Sequence, residues 1–209
     1  MGIFVFATGF VVLFGIRKGV ERACRILLPV EVLILIILAV YCLTLPGSID
    51  GLMYYLYPDI SKLSADGVLA ALGQVFYSLS LGFGVMVTLG SYLGKKTDLA
   101  GSAWSTCFFT LFVAFIAGSI IVPASYMVTA GDPVSLSSGS LFEALPAVFM
   151  DMPFGICMGA AFFVLLTLAS LTAQICALEV MVAALKDRFG ISRPKGVIMM
   201  TIYTFVVAV

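Results

Sequence analysis

Apolar runs separated by short polar stretches make up the chain. The runs cover residues 3–16, 27–45, 68–92, 103–127, 155–185 and 196–209. A helix rises about 1.5 Å per residue and the hydrocarbon core of a bilayer is about 30 Å thick, so roughly 20 apolar residues cross it. The four inner runs are long enough to do so. The first and last are shorter and read as membrane helices cut within their length, which makes the chain an internal piece of a larger protein or a truncated gene product. The pattern predicts an all-α membrane protein with six helical segments, two of them partial.

The third run is interrupted. Between Gly73 and Gly84 it reads GQVFYSLSLGFG, with Ser78, Ser80, Gly82 and Gly84 at its middle. Each glycine weakens a helix by about 1 kcal/mol relative to alanine, and serine hydroxyls offer the backbone competing hydrogen bonds. The stretch predicts a helix broken near residues 80–84. Irregular backbone at membrane depth persists only where protein or water satisfies it, and secondary transporters build their substrate and ion sites on such breaks. Small residues of this kind also line the packing faces of unbroken membrane helices, so the stretch on its own leaves both readings open.

Composition agrees with the pattern. Hydrophobic residues make up 62% of the chain and charged residues 11%, and the mean hydropathy is +1.19, whereas a soluble domain is about one quarter charged. Net charge is zero and histidine is absent, so nothing points to nucleic acid or to a histidine-based metal site, and no catalytic side-chain arrangement is visible. The five cysteines have no CxxC spacing and read as small buried hydrophobes; Cys42 and Cys157 fall near outer helix ends, where a disulfide is conceivable. Arg17, Lys18, Arg22 and Arg25 fall in the first loop, Lys95 and Lys96 in the third, and Lys186, Arg188, Arg193 and Lys195 in the fifth, with Lys62 alone in an even-numbered loop. The positive-inside rule places the odd loops in the cytoplasm. Tyr54, Tyr55 and Tyr57 then suit an outer aromatic belt and Trp104 an inner one.

Two carboxylates fall inside membrane runs, Glu31 and Glu179. Intramembrane acids are costly and default to functional candidates. Both lie toward the cytoplasm, where Arg25 near Glu31 and Lys186 beyond Glu179 can pair with them. The loop at residues 131–154 contains no Lys or Arg; its apolar stretch LFEALPAVFM is able to re-enter the protein as a lid.

These segments together resemble the neurotransmitter:sodium symporters, in particular the bacterial amino-acid transporters of that family. GQVFYSLSLGFGVMVTLGSY is similar to the family's discontinuous sixth helix. GIRKGVERACRILLP resembles the cytoplasmic entry to the fifth, with Gly19 and Pro29 at the family's spacing. SLFEALPAVF resembles the outer lid loop, and FFVLLTLASLTAQICALEVMVAAL the eighth helix. The resemblance covers the chain from the family's fourth helix into its ninth, and implies a piece of the inverted five-plus-five-helix transporter fold in a bacterial inner membrane, completed by the missing helices of the parent chain.

The resemblance also implies a function, secondary active transport of an amino acid coupled to Na⁺ by alternating access. Tyr77 falls at the aromatic lid over the substrate. Ser80, Leu81, Gly82 and Phe83 fall on the unwound substrate-contacting segment, and Ala173 and Ala177 on the facing helix. Ser78 falls at the first sodium site and, with Gln74 beside it, near chloride in relatives that need it. Ala169 and Thr172 fall at the second sodium site, through a carbonyl and a hydroxyl. Na⁺ is a hard cation that wants oxygen ligands, and these groups supply them (compare calcium). Three positions depart from the family. Ala173 stands where a serine hydroxyl follows Thr172, Phe109 where an asparagine binds the first sodium, and Val113 where an acid or a chloride-binding serine sits. Small Ala173 and Ala177 leave room for a bulky apolar or aromatic substrate. A transporter-like scaffold with altered sodium coupling, or a non-functional fragment, are the alternatives.

Overall fold

The computed structural model describes residues 2–57, 63–94, 96–128, 149 and 154–208. Helices account for the regular structure among them: α1 Gly2–Leu13, α2 Glu21–Leu43, α3 Ser48–Leu56, α4 Ala65–Ser78, α5 Val85–Ser91, α6 Leu99–Val128, α7 Gly155–Phe189 and α8 Arg193–Ala208. Three stretches, Lys18–Leu43, Leu99–Ala124 and Gly155–Phe189, are helices long and apolar enough to cross a membrane. The expected lid at residues 131–154 lies outside the described residues apart from Phe149 and Phe154.

The helices group into two compact units, one of Met1–Val30, Val75–Thr97 and Thr167–Val209, the other of Glu31–Gln74 and Asp98–Leu166. In the first, α1 packs against α8, and Val12, Val20, Ile175, Leu178, Val182 and Val197 form a buried core. The approach of α1 to α8 is close: a Cβ on Gly9 would stand 2.5 Å from the Thr201 hydroxyl oxygen. Between α1 and α2 the chain reverses through Gly15, at φ +84°, and a π-helical turn over Ile16–Val20. Val20 donates to the Gly15 carbonyl at 3.1 Å, five residues back. At Gly19 a side chain would run into the Val11 carbonyl, so the turn requires glycine there.

In the second unit Leu35, Leu38, Ala39 and Cys42 of α2 meet Ile120 and Ala124 of α6 and Phe162 and Leu165 of α7. The short helix α3 lies on α6. It sits inside what the hydrophobic pattern leaves as a loop, and it changes the reading of one tyrosine. Tyr55 turns inward against α6, with its ring 5.9 Å from that of Phe115 and in the space a Gly118 side chain would need; Tyr54 and Tyr57 remain exposed. A Cβ on Gly51 would stand 2.6 Å from Pro123 Cα and 3.0 Å from Tyr126 Cβ. Backbone cannot yield as a side-chain end can, so Gly51→Ala is expected to cost about 1–3 kcal/mol through overpacking. A lowered thermal midpoint of the purified protein checks this, with Gly159→Ala, where no atom lies within 4 Å of an added Cβ, as the comparison that loses no stability.

The second and third predicted spans differ from the observed helices at their ends. Helix α2 starts at Glu21 rather than 27, because Glu21, Arg22 and Arg25 are good helix formers and the Arg25 guanidinium reaches the Glu21 carboxylate one turn back at 2.7 Å. Glu31 is half-buried and also has an interaction partner. In the third span α4 ends at Ser78 and α5 begins at Val85, so the irregular segment is residues 79–84.

Candidate functional site

How α4 ends follows from its hydrogen bonds. The Ser80 amide donates to the Tyr77 carbonyl at 2.9 Å and the Leu81 amide to the Phe76 carbonyl at 3.1 Å. These are the two crossed bonds of a Schellman cap, which needs a left-handed residue at the position Ser80 holds. Glycine is usual there, but Ser80 adopts φ +52°, a conformation that costs a non-glycine residue about 1–2 kcal/mol. Gly84, at φ +71°, caps the start of α5. Two left-handed residues thus bracket the segment, and strained backbone of this kind clusters at ligand-binding positions.

Around the break, Tyr77 and Phe83 stand edge to face with ring centroids 5.8 Å apart. Both are largely exposed, as is Leu81, and no atom lies near enough to Gly82 to meet an added Cβ. No residue of α4 or α5 is buried. Of the expected substrate residues in this stretch, the structure brings Tyr77 and Phe83 together and leaves Leu81 and Gly82 exposed beside a half-buried Ser80. A Cβ on Gly84 would stand 4.0 Å from Val180 Cγ1, which sets the segment beside α7. Val180 follows Ala173 and Ala177 at the i, i+4, i+7 spacing of one helix face, so those two small residues point the same way. Ala177 also borders a cavity of about 130 Å³ with Thr8, Gln174, Met181 and Thr201. The Thr201 hydroxyl there is buried without a hydrogen-bond partner.

One turn along α7, the Thr172 hydroxyl donates to the Ala169 carbonyl at 2.9 Å and approaches the Leu168 carbonyl at 3.2 Å. Thr172 is buried and Ala169 and Ala173 are exposed. Two oxygens 2.9 Å apart can both reach one hard cation at about 2.3–2.6 Å, the range of calcium sites. Gln74 and Ser78 lie one turn apart on α4, and each has an interaction partner. Phe109 is exposed on α6, and Val113 packs onto the core of the second unit.

The sharpest electrostatic feature is a cluster that the sequence did not reveal as one. Glu179 has 0% exposure. Its carboxylate accepts two hydrogen bonds from Arg193, at 3.0 Å from Nη1 and 2.5 Å from Nη2, and one from the Tyr92 hydroxyl at 3.2 Å. Arg193 Nη2 also donates to the Val12 carbonyl at 3.2 Å. A two-pronged guanidinium–carboxylate pair is the strong form of such contacts, and here it ties α7, α8, the end of α5 and the end of α1 together. The partner of Glu179 is thus Arg193 rather than the expected Lys186. Lys186 lies two turns, about 10.5 Å, along the same helix. Gly190, at φ +65°, reverses the chain so that Arg193 returns alongside. A glycine three residues before an arginine that opens the next helix was the available signal.

All five cysteines are thiols, Cys42 and Cys157 included. Among the described residues no group of three or more His, Cys, Asp or Glu side chains could hold a metal ion.

Comparison with known proteins accounts for this arrangement. The model of the sodium:neurotransmitter symporter family matches residues 1–209. An uncharacterized sodium-dependent transporter of Haemophilus influenzae is 36% identical over 197 residues, which are 94% of this chain and 43% of the relative. The uncharacterized sodium-dependent transporter YhdH of Bacillus subtilis is 36% identical over 183 residues, 88% of this chain and 40% of the relative. A crystal structure of MhsT in complex with L-phenylalanine is 38% identical with a TM-score of 0.84, covering 98% of this chain and 46% of that one. The chain therefore spans less than half the length of the relatives it matches, and within that span its helices have the all-α architecture of an inverted-repeat transporter. With a family match along its whole length and a fold shared with MhsT at 38% identity, the chain belongs to the sodium:neurotransmitter symporter family.

Proposed function

We propose that this chain supplies the fourth to ninth helices of a sodium-coupled amino-acid symporter, which the remaining helices of a longer protein complete in a bacterial inner membrane. The observation that carries the reading is the break between α4 and α5. It is held open by left-handed Ser80 and Gly84 and set against the helix that bears the Ala169 carbonyl and the Thr172 hydroxyl. Backbone groups freed by the break suit the charged ends of an amino acid, and neutral oxygens bind a dehydrated cation without burying another charge.

In this reading Tyr77 and Phe83 close over the substrate, and Ser80, Leu81 and Gly82 present backbone to it. Ala173 and Ala177 form the opposite wall. Small side chains there favour a bulky apolar or aromatic substrate. The phenylalanine bound by MhsT is of that class. Na⁺ is carried as co-substrate, with Ala169 and Thr172 at one site and Ser78 at a second. Gln74 and Ser78 are the groups available to chloride.

The test is uptake of labelled phenylalanine by the full-length protein in proteoliposomes, competed by a panel of amino acids, with an inward Na⁺ gradient and with choline in its place. Uptake that needs Na⁺ and is competed best by aromatic residues supports the proposal. Uptake indifferent to Na⁺ points to altered coupling, for which Phe109 and Ala173 are the chemical grounds. Best competition by glycine or alanine defeats the large-substrate reading. One substitution tests the sodium site by gain. Ala173→Ser restores a hydroxyl beside Thr172 and is expected to lower the Na⁺ concentration for half-maximal uptake about tenfold, since a bond to a charged group is worth about 1.5–3 kcal/mol.

A further inference from the structure

The first unit carries a pair of thiols that the transport reading leaves unused. Cys24 lies on α2 midway between Gly19 and Pro29, five residues from each. Cys176 lies on α7 one turn beyond Thr172. Far apart in sequence, the two thiols are close enough in space to act on each other electrostatically. The packing around them agrees: Val20, Ala23 and Cys24 of one segment lie in the same cluster as Leu171, Ile175 and Leu178 of the other. Both cysteines are half-buried.

We propose that Cys24 and Cys176 form a two-thiol site for a soft thiophilic centre that takes two thiolates and keeps no net charge, such as a mercuric ion or an organic trivalent arsenical. The thiolate is the species that binds such centres, and soft metals select sulfur ligands. Charge decides among them. A monovalent ion such as Cu(I) would leave a net negative bis-thiolate in an apolar setting, three residues from the Glu179 carboxylate on the same helix. A divalent mercuric ion displaces two protons and forms two Hg–S bonds, so the product is neutral. An arsine oxide exchanges its oxygen for two As–S bonds; the two thiol protons leave with that oxygen as one water, and no oxidant is needed. The bound centre would pin the segment between Gly19 and Pro29 onto the helix of Thr172.

The test uses the full-length protein in lipid nanodiscs, with every cysteine except Cys24 and Cys176 replaced by alanine, and phenylarsine oxide as probe. The expected result is one arsenic per protein by intact mass, with loss of one water and simultaneous protection of both thiols from maleimide. 2,3-Dimercaptopropanol should reverse it, whereas a monothiol at equal concentration should not. Cys24→Ala and Cys176→Ala should each abolish the monothiol-resistant adduct, and mercuric ion should bind with the same one-to-one stoichiometry and the same dependence. Independent maleimide labelling of the two thiols in the presence of the arsenical would overturn the proposal, as would an adduct that survives either single substitution. Because the readout is mass and labelling, it stands whether or not the protein transports an amino acid.

Discussion

Replacing Glu179 with alanine is expected to destabilise the protein more than any other single change at this end of the molecule, by about 3 kcal/mol. The loss comes from the charge that remains. Removing one partner of a buried ion pair leaves the other charge desolvated, at a cost of about 3–5 kcal/mol. Arg193 keeps 24% of its side chain exposed, so the lower end applies. The Tyr92 hydroxyl loses its acceptor as well. Glu179→Gln keeps a carbonyl oxygen for the guanidinium and should lose less. The double substitution Glu179→Leu with Arg193→Leu removes both charges and should recover much of the loss, since apolar replacements of buried pairs are often neutral or better. Thermal midpoints of the detergent-solubilised unsubstituted protein, Glu179→Leu, Arg193→Leu and the double variant form a double-mutant cycle, with coupling between the two sites expected because they share hydrogen bonds. Equal midpoints for Glu179→Ala and the unsubstituted protein would show that the pair is not structural. A double variant no better than the single would show that the packing rather than the charges matters.

The same cluster bears on transport. It joins four chain segments around one ion pair, so any motion that separates α7 from α8 must first break the two hydrogen bonds between Arg193 and Glu179. Glu179→Gln weakens these without emptying the site. If the pair opens during the cycle, this variant changes the uptake rate. If the pair stays closed, uptake is unchanged while stability falls.

Hydrophobic pattern was legible wherever a helix must cross the bilayer, since a long apolar run has few alternatives there. The runs at residues 27–45, 103–127 and 155–185 overlap the helices Glu21–Leu43, Leu99–Val128 and Gly155–Phe189, with ends that moved by up to six residues because polar helix formers extend the helices past the apolar portion. The break was legible for a different reason: two glycines and two serines within seven residues remove helix propensity at the centre of an otherwise uniform run. Helix α3 was not. Its sequence SIDGLMYYL is nine residues of mixed character, and what holds it is tertiary, Tyr55 and Gly51 fitting against α6. Pairings across the chain were illegible too. Cys24 with Cys176 and Glu179 with Arg193 depend on where chain reversals at Gly15 and Gly190 return each segment, and no local spacing encodes that. Site residues drawn from the family resemblance form a surface around residues 77–84 and a face of α7, and their roles rest on the uptake experiments.

Thr172→Val is expected to raise the Na⁺ concentration for half-maximal uptake by about 10–150-fold. Valine keeps the branched shape and removes only the hydroxyl. That hydroxyl donates within its own helix, to the Ala169 carbonyl at 2.9 Å, a carbonyl the helix ladder also serves, so the expected cost in folding stability is small. A cation site feels the change far more. One ligand oxygen must be replaced by water or left vacant, and a bond to a charged group is worth about 1.5–3 kcal/mol, where each 1.4 kcal/mol is about tenfold in affinity. The effect should be large here because Ala173 supplies no second hydroxyl to take over. Thr172→Ser keeps the oxygen and should stay within a few-fold of the unsubstituted protein, and Ala173→Ser added to Thr172→Val should recover part of the loss. Sodium titrations of uptake, run beside thermal midpoints, separate binding from folding. An unchanged sodium requirement in Thr172→Val, at unchanged stability, would place the coupled ion elsewhere and leave Ser78 on α4 as the position to test.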